Sequence, residues 1–217
     1  MRSLTPGDLK WLEETLAKLQ EDVTIVYFTE EATCRHCRRE RELLAELADL
    51  SHKLHLEVYN FVADRDAAET YGIDKIPALA IVGEKDYGVR YYGMPSDFEF
   101  RMLLEDIVRL SSGESGLSAE SKDELHRLSA PLHLEVLTTP ACPDSVGAVW
   151  IAHQMAMESD RITTDVLNVD DFPDVAEHYK AMSAPTVVVN GSYCFYGALE
   201  ESQFIEQVLE GAQGGGR

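Results

Sequence analysis

Basic residues are scarce in this chain. Its 217 residues include 19 Lys or Arg against 39 Asp or Glu, a formal net charge of −20. Such a surface repels phosphate backbones and anionic lipid, which argues against nucleic acid and membrane partners. Long apolar runs are missing as well. No stretch approaches the roughly 18 consecutive apolar residues of a membrane span. The opening stretch, MRSLTPGDLKWLEETL, has neither an apolar h-region nor a small-residue cleavage site. A cytoplasmic location is therefore expected. Cysteine is also sparse, and Cys34, Cys37, Cys142 and Cys194 are irregularly placed. That excludes a disulfide scaffold and asks instead whether one pair is catalytic or metal-binding.

What is present repeats itself. Cys34 and Cys142 stand 108 residues apart, and so do Pro77 and Pro185. At the same shift Val58 pairs with Val166, Asn60 with Asn168, Asp66 with Asp174 and Tyr71 with Tyr179. After the prolines the second copy is four residues shorter, since Gly93 aligns with Gly197 at a spacing of 104. A duplicated domain is the reading, with Ser111–Gly116 as a short polar linker. The expected domains are 1–112 and 113–217. The first carries 14 basic and 22 acidic residues, the second 5 and 17, so the acid excess weighs on the second.

Each copy reads as helix, strand, cysteine-bearing loop, helix, strand, short helix, Pro-led strand, hairpin strand, helix. Leu9, Leu12, Leu16 and Leu19 recur at helical spacing; Thr24–Phe28 is a short apolar run rich in β-formers. Residues 83–88 are expected to turn, and Asn190-Gly191 marks the matching hairpin. Ser96-x-x-Glu99 forms a capping box at the start of the last helix of the first copy. A β-α-β unit needs a parallel pair while the hairpin adds antiparallel strands. The expected fold class is α/β, two tandem folds, each a mixed central sheet flanked by helices. Trp11 and Trp150 read as core, the scattered histidines as non-ligands, Cys194 as a buried small hydrophobe and residues 211–217 as a flexible tail.

The chemistry concentrates at Cys34-Arg35-His36-Cys37. A C-x-x-C between a strand and a helix sets the first sulfur at the helix N-terminus, where free N–H groups and the helix dipole favour an anion. The thiolate is the nucleophile, so Cys34 is expected to attack and to have a pKa well below about 7. Cys37, one turn further in, is expected to resolve the mixed disulfide. Arg35 and His36, joined by Arg38 and Arg39, would stabilise the reduced form and raise the potential. A zinc knuckle would need a second C-x-x-C, and none exists. No cofactor or metal is needed, because the electrons travel through sulfur. In the second copy Cys142-Pro143-Asp144-Ser145 places serine where the resolving cysteine would stand. Cys142 is then a monothiol centre, a retired or binding half, or an exchange partner for the other cysteines.

The element order, C-R-H-C, Ile76-Pro77-Ala78, C-P-D-S and Ala184-Pro185-Thr186 together resemble the thioredoxin fold. Two copies in one chain resemble the glutaredoxin-like protein disulfide oxidoreductases and the N-terminal domain of the alkyl hydroperoxide reductase flavoprotein. The resemblance covers about residues 5–212. It implies a cis proline at Pro77 and at Pro185, with Ile76 and Ala184 offering backbone to a bound peptide. It implies protein disulfides or dithiols as substrates, and a thiol reductant or flavoprotein reductase as electron partner. In that flavoprotein the active pair lies in the second fold, whereas here it lies in the first, which favours a free-standing oxidoreductase over a shuttle. Thioredoxins carry a buried acid six residues before the first cysteine; Phe28 stands there, leaving proton relay to Glu30, Glu31 or water. The rival functions are a thioredoxin-fold binding module with incidental redox activity, and Fe–S assembly at Cys142.

Overall fold

The computed structural model describes residues 6–30, 32, 34, 37–93, 95–96 and 98–214, and their side chains from residue 9 onward. The first copy runs α1 (Pro6–Leu16), β1 (Val23–Thr29), α2 (Cys37–Ala48), β2 (Leu54–Asn60), α3 (Arg65–Tyr71), β3 (Ala78–Val82), β4 (Asp86–Tyr92) and α4 (Phe98–Ser112). The second runs α5 (Ala119–His126), β5 (Leu132–Thr138), α6 (Ser145–Glu158), β6 (Ile162–Asn168), α7 (Pro173–Tyr179), β7 (Thr186–Val189), β8 (Tyr193–Tyr196) and α8 (Glu201–Gly214). The element order read from the sequence is present twice.

All eight strands join one sheet in the order β2-β1-β3-β4-β6-β5-β7-β8. Within each copy the first two strands pair parallel, and the remaining pairings are antiparallel. β1, β3 and β7 are almost wholly buried, so each reads as a continuous apolar run. β2 lies at an edge, and its outer residues, including Val58, face water. Helices cover both faces and split the core into two clusters, one led by Tyr27 and Leu104, the other by Phe28 and Leu137.

The register refines the repeat. Val23 pairs with Leu54 and Leu132 with Ile162, so β1 and β5 are offset by 109 while β2 and β6 keep the offset of 108. The loop from strand to cysteine is therefore one residue shorter in the second copy. The copies meet where β4 pairs parallel with β6, from Val89↔Thr164 to Tyr92↔Leu167. Above that seam α4 packs on α6, with the Arg109 guanidinium 5.4 Å from the Trp150 ring centre.

Two expectations are corrected. β4 begins at Asp86, which pairs with Val82, so the turn closes by Lys85 and Gly88 lies inside the strand. Residues 211–214 are not a tail: α8 continues to Gly214, and Gly211 is buried against Tyr193. Glycine allows that approach, because a Cβ there would stand 2.6 Å from the Tyr193 Cδ1. Residues 215–217 of the expected tail lie outside the described residues.

Candidate functional site

β1 ends at Thr29, and the chain turns before reaching α2. Within that turn the Cys34 N–H donates to the Glu30 carbonyl at 3.0 Å. Cys34 precedes the helix, and Cys37 is its first residue. The two are joined as a disulfide with Cα atoms 5.5 Å apart, inside the usual range for such a bridge. Their surroundings differ sharply: Cys34 is half-buried while Cys37 is wholly enclosed. Arg35, His36 and Glu31 lie outside the described residues. Arg38 and Arg39 are exposed on α2.

β3 runs antiparallel to β1 with Phe28 opposite Ala78, so the start of β3 lies at the sheet end from which the chain leaves for the cysteines. Just before it, the Ile76–Pro77 peptide bond is cis, and both residues are half-buried. The Pro77 carbonyl accepts from the Gly93 N–H at 3.0 Å, and Gly93 has φ +95°. A side chain there would strike Asn168 and Asp171 at 2.8 Å, so glycine lets the second copy approach the proline strand. Phe28 is fully buried; its ring lies 5.6 Å from Tyr59 and 5.7 Å from Tyr71. An aromatic cluster occupies the place where an acid would sit.

An acid is nevertheless present, and sequence reasoning missed it. Glu40, one turn into α2, is 1% exposed. Its Oε2 accepts from the Tyr27 hydroxyl at 2.9 Å, and that hydroxyl also lies 3.3 Å from the Cys37 carbonyl. Burial pushes the Glu40 carboxyl from 4.5 up to about 8, against the lowering effect of the Tyr27 hydrogen bond. Within C-R-R-E-R-E it reads as one charge on a solvated face, and only tertiary packing distinguishes it.

The second copy builds a similar place with one sulfur. Cys142 is half-buried in the turn before α6, and its thiol donates to the Ala184 carbonyl at 3.3 Å. Ser145 opens α6 fully buried, and its hydroxyl has no hydrogen-bond partner among the described residues. Ala184–Pro185 is also cis, and the Pro185 carbonyl accepts from the Gly197 N–H at 3.1 Å. A groove of about 170 Å³ runs alongside, lined by Thr139, Val169, Ala181, Met182 and Ala184, with Met182 93% exposed. Cys194 lies half-buried in β8, its thiol pushed up in pKa by burial and then by Glu135.

Two more buried groups tie the copies together. Glu99, 3% exposed, accepts from Thr138 Oγ1 at 2.6 Å and from Asn168 Nδ2 at 3.1 Å. It also accepts from the Ser96 backbone, which is the capping box, and burial raises it to about 7. Asp106 of α4 meets His153 Nδ1 of α6 at 2.7 Å and accepts the Tyr91 hydroxyl. Among the described residues no cluster of His, Cys, Asp or Glu is arranged to hold a metal, and no helix is long and apolar enough to cross a membrane.

A closed dithiol at a strand–helix junction, beside a proline-led strand, defines a thiol–disulfide exchange centre on a thioredoxin fold. The thioredoxin domain family model matches residues 132–210, within the second copy. The chain is 32% identical over 76 residues to thioredoxin of Methanocaldococcus jannaschii, covering 35% of this chain and 89% of that one. It is 26% identical over 170 residues to the flavoprotein component of alkyl hydroperoxide reductase in Xanthomonas campestris pv. phaseoli, covering 77% of this chain but 30% of the relative, so it spans under a third of that protein. Among solved structures, a protein disulfide oxidoreductase from Aeropyrum pernix K1 superposes with a TM-score of 0.90 at 30% identity, over 99% of this chain and 96% of that one. The chain belongs to the thioredoxin-fold protein disulfide oxidoreductases and is a thiol–disulfide oxidoreductase.

Proposed function

We propose that exchange runs through the first copy, with Cys34 as the attacking sulfur and Cys37 as the resolving one. The observation that carries this is the difference in exposure: Cys34 is reachable, while Cys37 is 0% exposed at the head of α2. A substrate thiolate attacks Cys34, breaks the bond to Cys37 and leaves a mixed disulfide; a second substrate thiol then releases Cys34. In reverse, the Cys34 thiolate attacks a protein disulfide and Cys37 displaces the product. Ile76 and Pro77 line the place where an extended peptide would lie, and Arg35 and His36 tune the potential on sequence grounds alone.

The chain divides at 112/113 into two domains of unequal duty. The second binds clients beside Ala184 and Pro185 or acts through Cys142 as a monothiol, with Ser145 in the resolving position. The match of the thioredoxin domain model to residues 132–210 favours keeping that second reading. The partners are protein disulfides and dithiols, and the electron donor is a thiol reductant or a flavoprotein reductase. The relationship to the alkyl hydroperoxide reductase component supports the latter.

The test is the reduction potential of the Cys34–Cys37 pair together with trapping by Cys37→Ser. Mixed disulfides held at Cys34 are expected, and the potential gives the direction. Adducts held at Cys142 alone would overturn the assignment.

A further inference from the structure

Cys37 carries a problem that the exchange chemistry does not solve by itself. When the disulfide opens by attack on Cys34, its electron pair leaves on the Cys37 sulfur, in a place with no exposure to water. Burial without a partner disfavours a thiolate there. Glu40 lies three residues along the same helix, and i, i+3 side chains are neighbours on one helical face. It is 1% exposed, and its Oε1 is buried without a hydrogen-bond partner among the described residues. An orphaned buried carboxyl oxygen is expensive and calls for an explanation. The Tyr27 hydroxyl completes the arrangement by touching both the Cys37 carbonyl and Glu40 Oε2.

We propose that Glu40 is the proton store for the buried sulfur of the redox pair. This rests on the assignment of Cys34 and Cys37 above. As an external thiolate forms its bond to Cys34, the Cys34–Cys37 bond breaks and the proton of the Glu40 carboxyl passes to the Cys37 sulfur. The external thiol is oxidised to the mixed disulfide and Cys37 is reduced to a thiol. Glu40 is left as a carboxylate that Tyr27 stabilises by donating to it, until a proton from solvent restores it. In the opposite direction the carboxylate takes the Cys37 proton as that sulfur attacks the mixed disulfide.

The groups that act on Glu40 from the elements packed against it are Tyr27 of β1, which lowers its pKa, and Asp171 of the loop after β6, which raises it. On its own helix Arg38, Arg39, Arg41 and Glu42 are exposed. Tyr27 and Asp171 therefore give two opposed handles on one proton.

The experiment is single-turnover reduction of the oxidised protein by dithiothreitol from pH 6 to 10, corrected for the thiolate fraction of the reagent. Wild type should show an inflection near pH 8, the value to which Glu40 is raised. Glu40→Gln should remove the inflection and slow the reaction at pH 7 at least about fivefold, at the modest end of general acid–base effects. Tyr27→Phe should move the inflection up and Asp171→Asn should move it down; these two decide alone if Glu40→Gln does not fold. A Glu40→Gln profile that superimposes on wild type, or inflections unmoved in the other two, would overturn the proposal. Cys34→Ser separates the levels. If it reduces insulin with dithiothreitol as fast as wild type, the assignment of the pair fails; if it is inactive while Glu40→Gln is unchanged, only the role of Glu40 fails.

Discussion

Asp106 on α4 and His153 on α6 meet at 2.7 Å, each 1% exposed, at the place where the two copies pack together. Tyr91 of β4 donates to the same carboxylate oxygen, and its ring lies 5.4 Å from the imidazole. Removing one partner of such a pair strands the other in a dry interior. Asp106→Ala is expected to cost roughly 3 kcal/mol or more, a fall in Tm of about 6–12 °C for a protein of this size. The double replacement by leucines should recover much of the loss, because apolar groups leave nothing unpaired. Thermal melts of the three proteins check this, and a double mutant as unstable as Asp106→Ala would contradict it.

Two glycines in helices should respond with opposite sign to the same change. At Gly147 in α6 an added Cβ meets nothing within 4 Å. Alanine there should stabilise by roughly 0.5–1 kcal/mol through lower unfolded-state entropy and better helix propensity. At Gly211 in α8 the added Cβ falls 2.6 Å from the Tyr193 ring. Overpacking of about 1–3 kcal/mol then outweighs the propensity gain. Urea midpoints for Gly147→Ala and Gly211→Ala should move apart on either side of wild type.

Stability should fall as the pH rises above neutrality. Glu40 is raised from 4.5 to about 8 and Glu99 from 4.5 to about 7, in both cases chiefly by burial. Between those limits the folded state holds protons that the unfolded chain releases. The contribution of each group is complete below its unfolded value and is lost as the pH passes its folded one. His133, raised first by its hydrogen bond with Asp165, acts in the same direction. Denaturation midpoints should therefore be lower at pH 8.5 than at pH 5.5, and Glu40→Gln should flatten that dependence. An equal slope in the variant would contradict the assignment of Glu40 as a buried neutral acid.

Much of this molecule can be read from residue spacing, and what cannot has a common cause. The repeat of Cys34 and Pro77 as Cys142 and Pro185 is visible because both copies need a thiol before a helix and a proline before a strand. Element types follow from local periodicity, which is why β1 and β3 are plain as apolar runs. Glu40, Glu99 and His153 carry no such signal. Each is a polar residue on a helix of mixed composition, and its burial depends on which helix face meets which partner. Gly211 misleads for the same reason: near a chain end glycine suggests flexibility, and only the Tyr193 ring explains why nothing larger fits. The one-residue shift of β5 and the joining of β4 to β6 are properties of the sheet that neither copy displays by itself.

Disulfide exchange through Cys34 is the step on which everything else depends. The most direct measurement is insulin-disulfide reduction with dithiothreitol by wild type, Cys34→Ser and Cys142→Ser at equal concentration. Cys34→Ser should fall to the rate of dithiothreitol alone while Cys142→Ser keeps at least half of the wild-type rate. Wild-type turnover by Cys34→Ser, or loss of activity only in Cys142→Ser, would contradict that role.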